Sequence, residues 1–321
     1  MVINILSNRS EWTFYFSKVF NLILQSTLKF ENKTPQKLGR FLLRNGFSKR
    51  ALTNSQHNGG MILVNHHRRY TSYLLHSGDE VIFILGEEKK NQWLKPSTNQ
   101  LNIVLEQHDY LVINKEAGVL SIPSRYEDND AVVNRLLYYF QKNGQKDLKP
   151  HVITRLDRDT SGLVLVGKNA VAHARFSEMG KDCFIKKYHA IVHGNFSKEQ
   201  EIGIIDAPIG KLDASVKRGI VANGQRSITK YRVLDQVNGA SLVELQLLTG
   251  RTHQIRVHMQ YLDHPLFGDP LYGIKDNFKR QALNCFYLKF DDPFSERKQE
   301  VTISEPVDMK CLWQRLISNK L

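Results

Sequence analysis

The order of apolar and polar residues predicts a chain with many strands and few helices. Short apolar runs bounded by turn residues dominate the sequence from Leu101 onward. They predict strands at 103–105, 110–114, 163–166, 188–192, 228–234 and 242–248. Apolar residues at helical spacing predict helices at 131–142, 171–181 and 252–262. Few helices among many strands favour an α+β fold over a doubly wound parallel sheet.

The N-terminal part of the chain has its own pattern, typical of a small α+β domain. Thr34 and Pro35 predict the cap and the first position of a helix that ends at Asn45-Gly46. A second short helix is expected around Lys49, followed by strands at 61–65 and 81–85. These two helices expose basic side chains that form a candidate phosphate-binding face: Lys37, Arg40, Arg44, Lys49 and Arg50.

Changes in composition along the chain predict four segments. A further strand is expected at 12–17, where apolar and polar residues alternate. The polar, aperiodic stretch before Leu101 is typical of a linker. We therefore expect an N-terminal extension at 1–33, a small domain at 34–86, a linker at 87–100 and a main domain at 101–321.

The net charge narrows the choice of partner. A formal charge of +13 over 321 residues indicates a polyanionic partner such as nucleic acid. Three widely spaced cysteines form no disulfide framework, which favours a reducing compartment. The apolar stretch at 12–24 is too short and too polar to span a bilayer. We therefore expect a cytoplasmic protein, acting as a monomer, without contact to a membrane.

A charged turn at residues 155–162 is the first candidate for chemistry. Asp157 and Asp159 alternate there with Arg155 and Arg158, directly before an apolar strand. A carboxylate at the rim of a sheet can act as a nucleophile, a base or an electrostatic partner. Taken alone, the segment favours a structural ion-pair cluster, because such networks also concentrate charge.

A second candidate segment spans residues 249–258. Gly250 permits a tight turn, and Thr252 is expected to cap the helix that follows. Arg251, His253 and Arg256 then supply cationic donors near the start of this helix, which favours an anion site. The histidine spacing does not match a zinc motif, so we expect no metal.

These segments, in this order, resemble the RluA-type pseudouridine synthases. The matching segments are 114–119, 155–162, 187–194, 250–258 and 268–273. Residues 34–85 are similar to the alpha-L RNA-binding motif, which often precedes the catalytic domain in this family. Glu116 and Thr154 stand where the family commonly has proline and histidine. The resemblance implies a pseudouridine synthase fold with a mostly antiparallel mixed sheet, besides the small N-terminal RNA-binding domain.

The resemblance also implies roles for individual residues. Asp157 would be the nucleophile or base, with Arg256 paired to it and Tyr188 stacked on the uracil. The carboxylate would either attack the anomeric carbon or remove a ribose proton. The residues expected to bind the substrate are Arg155, Ile255, Lys115, Arg251 and His253.

The expected function is the isomerisation of specific uridines in structured RNA, without a cofactor. Large-subunit ribosomal RNA is the first expected substrate, and transfer RNA is the second. One alternative is a non-catalytic RNA-binding factor for ribosome assembly, since a fold alone does not fix function. Another alternative is a hydrolase of small glycosides or nucleosides, with Asp157 and a general acid such as Asp159.

Overall fold

The computed structural model describes residues 25–57, 59–84, 94–124, 130–145, 148–180, 183–212, 216–295 and 297–318. The strand expected at 12–17 lies outside these residues. The described residues fall into two compact units. The first unit lies within Met1–Gln92 and Phe140–Lys149, and the second within Trp93–Tyr139 and Pro150–Leu321. The four segment boundaries expected from the sequence stay a prediction. Within the described residues, no helix is long and apolar enough to cross a membrane.

The first unit combines short strands with two helices. Its strands are β1 (Gln25–Lys29), β2 (Gln36–Lys37), β3 (Met61–Val64), β4 (His67–Arg68), β5 (Leu74–Leu75) and β6 (Glu80–Ile84), and its helices are α1 (Leu38–Arg44) and α2 (Lys49–His57). Four strands form a sheet in the order β1-β6-β3-β4, while β2 pairs with β5. Buried Phe30, Leu42, Phe47 and Phe83 contribute to its core. The expected strands at 61–65 and 81–85 match β3 and β6.

Helix α1 begins later than the sequence pattern predicts. Lys37, not Thr34, is the N-cap residue, and its backbone is extended. Residues 36–37 are held in this conformation because they pair with 74–75 in an antiparallel ladder. A pairing between residues that are distant in sequence therefore overrides the local Thr34-Pro35 start signal. The expected end of the helix at Asn45 is confirmed.

The second unit contains most of the strands. Strands β7 to β12 are Ile103–Glu106, Tyr110–Lys115, His151–Val152, Ser161–Gly167, Ile185–His193 and Ile202–Asp206. Strands β13 to β18 are Ile209–Lys211, Arg218–Ile220, Ile228–Val237, Ala240–Leu247, Leu283–Asp291 and Lys298–Thr302. Helices α3 to α6 are Val132–Lys142, Ala170–Glu178, Gln254–Tyr261 and Val307–Ile317. Every strand and helix expected in this region is present, with shifted ends.

The strands of this unit form one large mixed sheet. The order is β12-β15-β16-β11-β17-β10-β8-β7, with β18 beside β17 and β9 beside β10. Among the described strands, β10 and β17 run parallel, whereas the other neighbours in this sheet are antiparallel. The expectation of an α+β fold with a mostly antiparallel mixed sheet is confirmed. Strands β13 and β14 form a separate two-stranded hairpin.

A close approach of two strands positions the charged turn. Residues 153–160 connect β9 to β10, so the turn ends where β10 meets β17. Gly162 lies at this contact with φ of +115°, and a Cβ there would overlap the backbone of Cys285. Only glycine tolerates both the backbone conformation and the contact. Gly162 therefore fixes the distance between the turn and the centre of the sheet.

The contact at Gly162 leads to a prediction about stability. Gly162→Ala should lower the free energy of unfolding by about 3 kcal/mol, because a left-handed conformation and overpacking both add cost. Gly239→Ala is the matched control, since Gly239 also has a positive φ but nothing lies near its Cβ position. Its cost should be about 1 kcal/mol. Urea denaturation measures both variants, and equal losses would contradict the proposed close approach.

Candidate active site

An open cleft of about 580 Å³ lies where the charged turn meets the start of helix α5. Its lining consists of residues 153–157, 160, 184–186, 188, 246–252, 254–256 and 283. Arg155 and Asp157 come from the turn, Tyr188 from β11, and Ile255 and Arg256 from α5. The structure therefore brings together residues from three separate segments that the sequence singled out.

Asp157 faces a buried guanidinium group. Arg256 Nη1 donates to Asp157 Oδ2 at 3.4 Å. The Asp157 side chain is 30% exposed, whereas that of Arg256 is 4% exposed. The carboxylate is thus open to the cleft on one side and held by a fixed positive charge on the other. This arrangement leaves a carboxylate oxygen available to a substrate.

Arg256 has a second and closer partner in Asp269. Its Nε and Nη2 atoms donate to the two carboxylate oxygens of Asp269 at 2.6 and 2.7 Å. Backbone N–H groups of Leu271 and Tyr272 also donate to Asp269. Burial alone would lower the pKa of Arg256, but the hydrogen bonds and charge of Asp269, with the charge of Asp157, raise it. Arg256 therefore stays charged and oriented while its Nη1 points to Asp157.

His253 lies beside the same carboxylate in an uncharged form. Burial lowers the pKa of His253, although the charge of Asp157 opposes this effect. The Tyr272 hydroxyl accepts a hydrogen bond from Arg218 N at 2.8 Å and lies 2.9 Å from His253 Nδ1. Its own proton can therefore be donated to Nδ1, which leaves the imidazole proton on Nε2. That nitrogen lies 3.9 Å from Asp157 Oδ2.

Tyr188 is buried in the wall of the cleft, next to Cys285. Burial raises the pKa of Tyr188 well above its usual value, and the hydrogen-bonded Cys285 and the charge of Asp157 act in the same direction. Burial also raises the pKa of the Cys285 thiol to about 11. Both groups therefore stay protonated near neutral pH, and Tyr188 offers a neutral phenol ring to the cleft.

The other expected substrate contacts differ in exposure. Arg155 is exposed at the cleft, and Ile255 lines it with a side chain that is 3% exposed. Arg251 also lines the cleft, where its Nε donates to the carbonyl of Arg226 at 3.2 Å. A base that enters the cleft would thus meet apolar surface at Ile255 and cations at Arg155 and Arg251.

Lys115 lies beneath the charged turn and supports it from there. Its Nζ donates to the carbonyls of Glu116, Val119 and Arg158 at 2.8–2.9 Å. Burial lowers the pKa of Lys115 to about 7, against the opposing charges of Asp159 and Asp157. With 2% of its surface exposed, Lys115 has no access to a substrate in the cleft. Its described contacts support the backbone of the turn, and its part in substrate binding stays a prediction.

Further hydrogen bonds fix the turn on both sides of Asp157. Ser121 Oγ exchanges two hydrogen bonds with the backbone of Leu156, at 3.1 and 3.2 Å. Arg280 Nη1 donates to the carbonyl of Asp159 at 3.3 Å, while Asp308 accepts from Arg280 Nε and Nη2 at 2.6 and 2.9 Å. Arg280 lies before β17 and Asp308 lies in α6, so the C-terminal helix helps to hold the turn.

The start of helix α5 corrects one expectation. Thr252 does not cap the helix, because His253 occupies the N-cap position with φ of +58° and makes no side-chain cap hydrogen bond. Gln254 takes over part of this role, since its Oε1 accepts from Arg251 N and from Thr249 Oγ1. The left-handed backbone at His253 aims its ring at Asp157 instead of along the helix.

Several important residues were missed by sequence reasoning. Asp269 and Tyr272 lie in the segment 268–273, which resembles the family, but the resemblance implied no role for either residue. Arg280 and Asp308 gave no signal, because a pair 28 residues apart has no local pattern. Asp269 could have been found, because a charged residue inside a turn-rich matching segment indicates a candidate partner for a charged site residue.

The basic face expected on the N-terminal helices is partly described. Lys37, Arg40, Arg44 and Lys49 are exposed. Arg44 Nη1 donates to Gln36 Oε1 at 3.3 Å. The side chain of Arg50 lies outside the described part of the chain. The RNA-binding role of this face stays a prediction.

Comparison with known proteins connects this site to one family. A family model for RNA pseudouridylate synthases matches residues 109–261. The uncharacterized RNA pseudouridine synthase YjbO of Bacillus subtilis is 39% identical over 270 residues, which cover 83% of this chain and 94% of that protein. The ribosomal large subunit pseudouridine synthase D of Zymomonas mobilis is 37% identical over 244 residues, 70% of this chain and 76% of that protein.

A solved structure agrees with the sequence comparisons. Human RNA pseudouridylate synthase domain containing 1 superposes with a TM-score of 0.55 and 29% identity, over 65% of this chain and 85% of that chain. The chain therefore belongs to the RluA-type RNA pseudouridine synthases, isomerases that act on RNA.

Proposed function

We propose that the chain converts specific uridines of large-subunit ribosomal RNA to pseudouridine, with Asp157 as the reactive carboxylate. The observation that carries the proposal is the contact of Asp157 with Arg256, which leaves the carboxylate open to a cleft of about 580 Å³. Asp159, the general acid of the hydrolase alternative, pairs with Arg158 at 3.2 Å and does not line the cleft. This difference favours an isomerase over a hydrolase.

Asp157 acts on the ribose of the bound uridine. Its carboxylate either attacks the anomeric carbon or removes a ribose proton, and both routes break the bond between the ribose and a uracil nitrogen. The uracil stays in the cleft and rejoins the ribose through a ring carbon, which loses its proton while the freed nitrogen gains one. Arg256 keeps the carboxylate in one orientation throughout, because Asp269 fixes the guanidinium from behind. Positioning of this kind lowers the entropic cost of reaching the reactive geometry.

Tyr188 and Ile255 hold the detached uracil while it turns. Both residues line the cleft, and an aromatic ring with an aliphatic side chain gives a flat base apolar contact on its faces. The raised pKa of Tyr188 makes it a neutral phenol, which contacts the base by packing and hydrogen bonding. His253 lies beside Asp157, and because burial lowers its pKa it places no further positive charge there at neutral pH.

The RNA contacts offset the cost of removing a base from its stack. Flipping a base costs a few kcal/mol. Exposed Arg155 at the cleft can fill the gap in the stack with its flat guanidinium. The net charge of +13 adds affinity for any RNA, independent of its sequence. The basic face of the N-terminal helices is proposed to contribute to the same binding.

Two observations support the choice of substrate and setting. Relatives such as that from Zymomonas mobilis are named for the ribosomal large subunit. The thiols of Cys183, Cys285 and Cys311 are free, as is usual in a reducing cytoplasm. We therefore propose that the protein is a cytoplasmic enzyme that modifies ribosomal RNA. We also propose that it acts as a monomer.

Mapping pseudouridines in cells tests reaction and substrate together. We expect that at least one uridine of large-subunit RNA loses its mark when the gene is deleted, as measured by carbodiimide primer extension. Wild-type protein should restore the mark. Asp157→Asn should not restore it, because an amide is neither a nucleophile nor a base, although its affinity for RNA in vitro should stay within about threefold.

Asp159→Asn is the matched control for this experiment. It removes a neighbouring carboxylate of the same turn whose side chain pairs with Arg158, so the mark should return nearly in full. Restoration by Asp157→Asn would exclude Asp157 as the reactive group. A mark that is lost only from transfer RNA would show that the proposed substrate is wrong, and release of free uracil would favour the hydrolase.

The ammonium group of Lys115, beneath the charged turn, leads to a prediction of how the reaction rate depends on pH. An ammonium donates three hydrogen bonds but a neutral amine donates at most two. As the pH rises through about 7, Lys115 loses a proton and one of its three carbonyl contacts. The single-turnover rate at saturating RNA should then fall roughly fivefold, the effect of one hydrogen bond of about 1 kcal/mol.

Two variants separate Lys115 from other titrating groups. Lys115→Met should react slowly at every pH, with no decline near pH 7. Lys115→Arg keeps its charge through this range and should also lack the decline. If Lys115→Met retains the wild-type profile, a different group titrates and the supporting role of Lys115 is wrong.

A further inference from the structure

One tyrosine hydroxyl links the hairpin of β13 and β14 to the back of the active site. The Tyr272 hydroxyl accepts a hydrogen bond at 2.8 Å from the backbone N–H of Arg218, the first residue of β14. The same oxygen lies 2.9 Å from His253 Nδ1. Only 4% of Tyr272 is exposed, and its ring packs with Ile209 and Val257. This packing fixes the position of the hydroxyl.

One arrangement of protons satisfies every group at this hydroxyl. A backbone N–H is always a donor, so the oxygen of Tyr272 accepts from Arg218 and its own proton is free to point elsewhere. Burial raises the pKa of Tyr272, so the hydroxyl keeps this proton at neutral pH. Among the residues that the structure describes, His253 Nδ1 is the acceptor for it. The imidazole therefore carries its own proton on Nε2.

The Nε2–H group of His253 faces Asp157. Nε2 lies 3.9 Å from Asp157 Oδ2, and the His253 side chain is 12% exposed. Arg256 Nη1 donates to the same carboxylate oxygen at 3.4 Å. An approach of about 1 Å brings Nε2 within hydrogen-bond distance, and catalytic hydrogen bonds often shorten in this way when a substrate binds. Two donors then converge on Oδ2, which leaves Oδ1 for the substrate.

The charge of His253 decides how this contact affects Asp157. Arg256 already supplies one positive charge, which favours the ionised carboxylate. A second positive charge at His253 would stabilise the carboxylate further and make it a weaker nucleophile and a weaker base. A neutral N–H donor orients the same oxygen without this loss of reactivity.

The surroundings of His253 favour its neutral form. Burial, the largest cause, lowers the pKa of His253, and two guanidinium groups act with it while two carboxylates oppose it. The hydrogen bond from the Tyr272 hydroxyl acts in the same direction as burial, because a protonated Nδ1 accepts no hydrogen bond. The charged groups that face His253 belong to Asp157, Arg256, Asp269 and Arg218.

We propose that His253 is a positioning residue for Asp157, and that Tyr272 keeps it neutral from the hairpin side. In the complex with RNA, its Nε2–H donates to Asp157 Oδ2 beside Arg256, and Oδ1 reacts with the ribose. The backbone of the β13–β14 hairpin contributes to this arrangement through the N–H of Arg218, which fixes the tyrosine hydroxyl. This inference rests on the proposed function, because it assumes that Asp157 is the reactive carboxylate.

Single-turnover rates on unmodified large-subunit ribosomal RNA, at saturation, test the role of His253. His253→Leu should react roughly 10- to 100-fold more slowly, the effect of losing one hydrogen bond to a charged group. His253→Gln should stay within about threefold of the wild-type rate, because its amide N–H can replace Nε2–H. Both replacements are unbranched at Cβ and meet the same φ of +58°, so their backbone strain is matched.

Tyr272→Phe tests the source of the neutral form. It removes the hydroxyl but keeps the ring, over which the Arg256 guanidinium carbon lies at 5.0 Å from the centroid. Without the hydrogen bond at Nδ1, the pKa of His253 should rise towards its ordinary value of 6.5, so the imidazole gains a proton as the pH falls. Relative to wild type, the rate should be near normal at about pH 8 and roughly fourfold lower at about pH 6.

Two controls separate this effect from a loss of packing. In a His253→Leu background, Tyr272→Phe should change the rate by less than about twofold at either pH, because its effect acts through the imidazole. Tyr110→Phe also removes a buried hydroxyl, which donates to Asp292 at 3.0 Å, but Tyr110 does not line the cleft. Its rate should equal the wild-type rate at both pH values.

Nitrogen NMR of protein that is isotopically labelled at its histidines gives a readout independent of catalysis. The signals of His253, one of twelve histidines, are identified by their absence from His253→Gln. In wild-type protein, Nε2 should carry a proton and Nδ1 should lack one from about pH 8 to about pH 6. In Tyr272→Phe, Nδ1 should gain a proton at the lower pH.

Three results would overturn the proposal. They are a wild-type His253 with a protonated Nδ1 at neutral pH, a folded His253→Leu protein with the wild-type rate, and a His253→Gln protein as slow as His253→Leu. Failure of the proposed function would appear instead as an active Asp157→Asn protein, whatever the proton state of His253.

Discussion

The site depends on one buried guanidinium group that two carboxylates share. A buried charge is costly unless it is paired, and breaking such a pair costs about 3–5 kcal/mol. Asp269 uses both of its oxygens to hold Arg256 Nε and Nη2, which leaves Nη1 directed at Asp157. The shorter contacts belong to Asp269 and the longer one to Asp157. The pair of Arg256 with Asp269 thus provides rigidity, while Asp157, the proposed reactive carboxylate, stays partly exposed.

Other cations hold the backbone around the reactive residue. Lys115 and Arg280 donate to the carbonyls of Arg158 and Asp159, which directly follow Asp157. These donors come from segments far apart in sequence, since Lys115 ends β8 and Arg280 lies just before β17. The turn is therefore fixed by its backbone, and the side chains of Arg155 and Asp157 face the cleft. The turn contains a structural ion pair, Arg158 with Asp159, while Asp157 lines the cleft as the proposed reactive carboxylate.

The strands were predictable from local patterns, whereas the candidate site was predictable only from the family resemblance. Apolar runs predict buried strands such as β10, and three matching segments predict that Asp157, Tyr188 and Arg256 meet. The start of α1 was not predictable, because the pairing of Lys37 with Leu74 decides it. Pairs such as Arg256 with Asp269 and Arg280 with Asp308 depend on the folded chain and leave no periodic pattern. The same holds for His253, whose positive φ follows from its place between a strand and a helix.

The central claim is that Asp269 orients Arg256 and thereby the reactive Asp157. The most direct measurement is the single-turnover rate of Asp269→Asn at saturating RNA, together with its RNA affinity. We expect the rate to fall about 100-fold while affinity changes less than threefold, since the variant loses a charge that contacts only the guanidinium and backbone. A correctly folded Asp269→Asn protein with the wild-type rate would contradict this account.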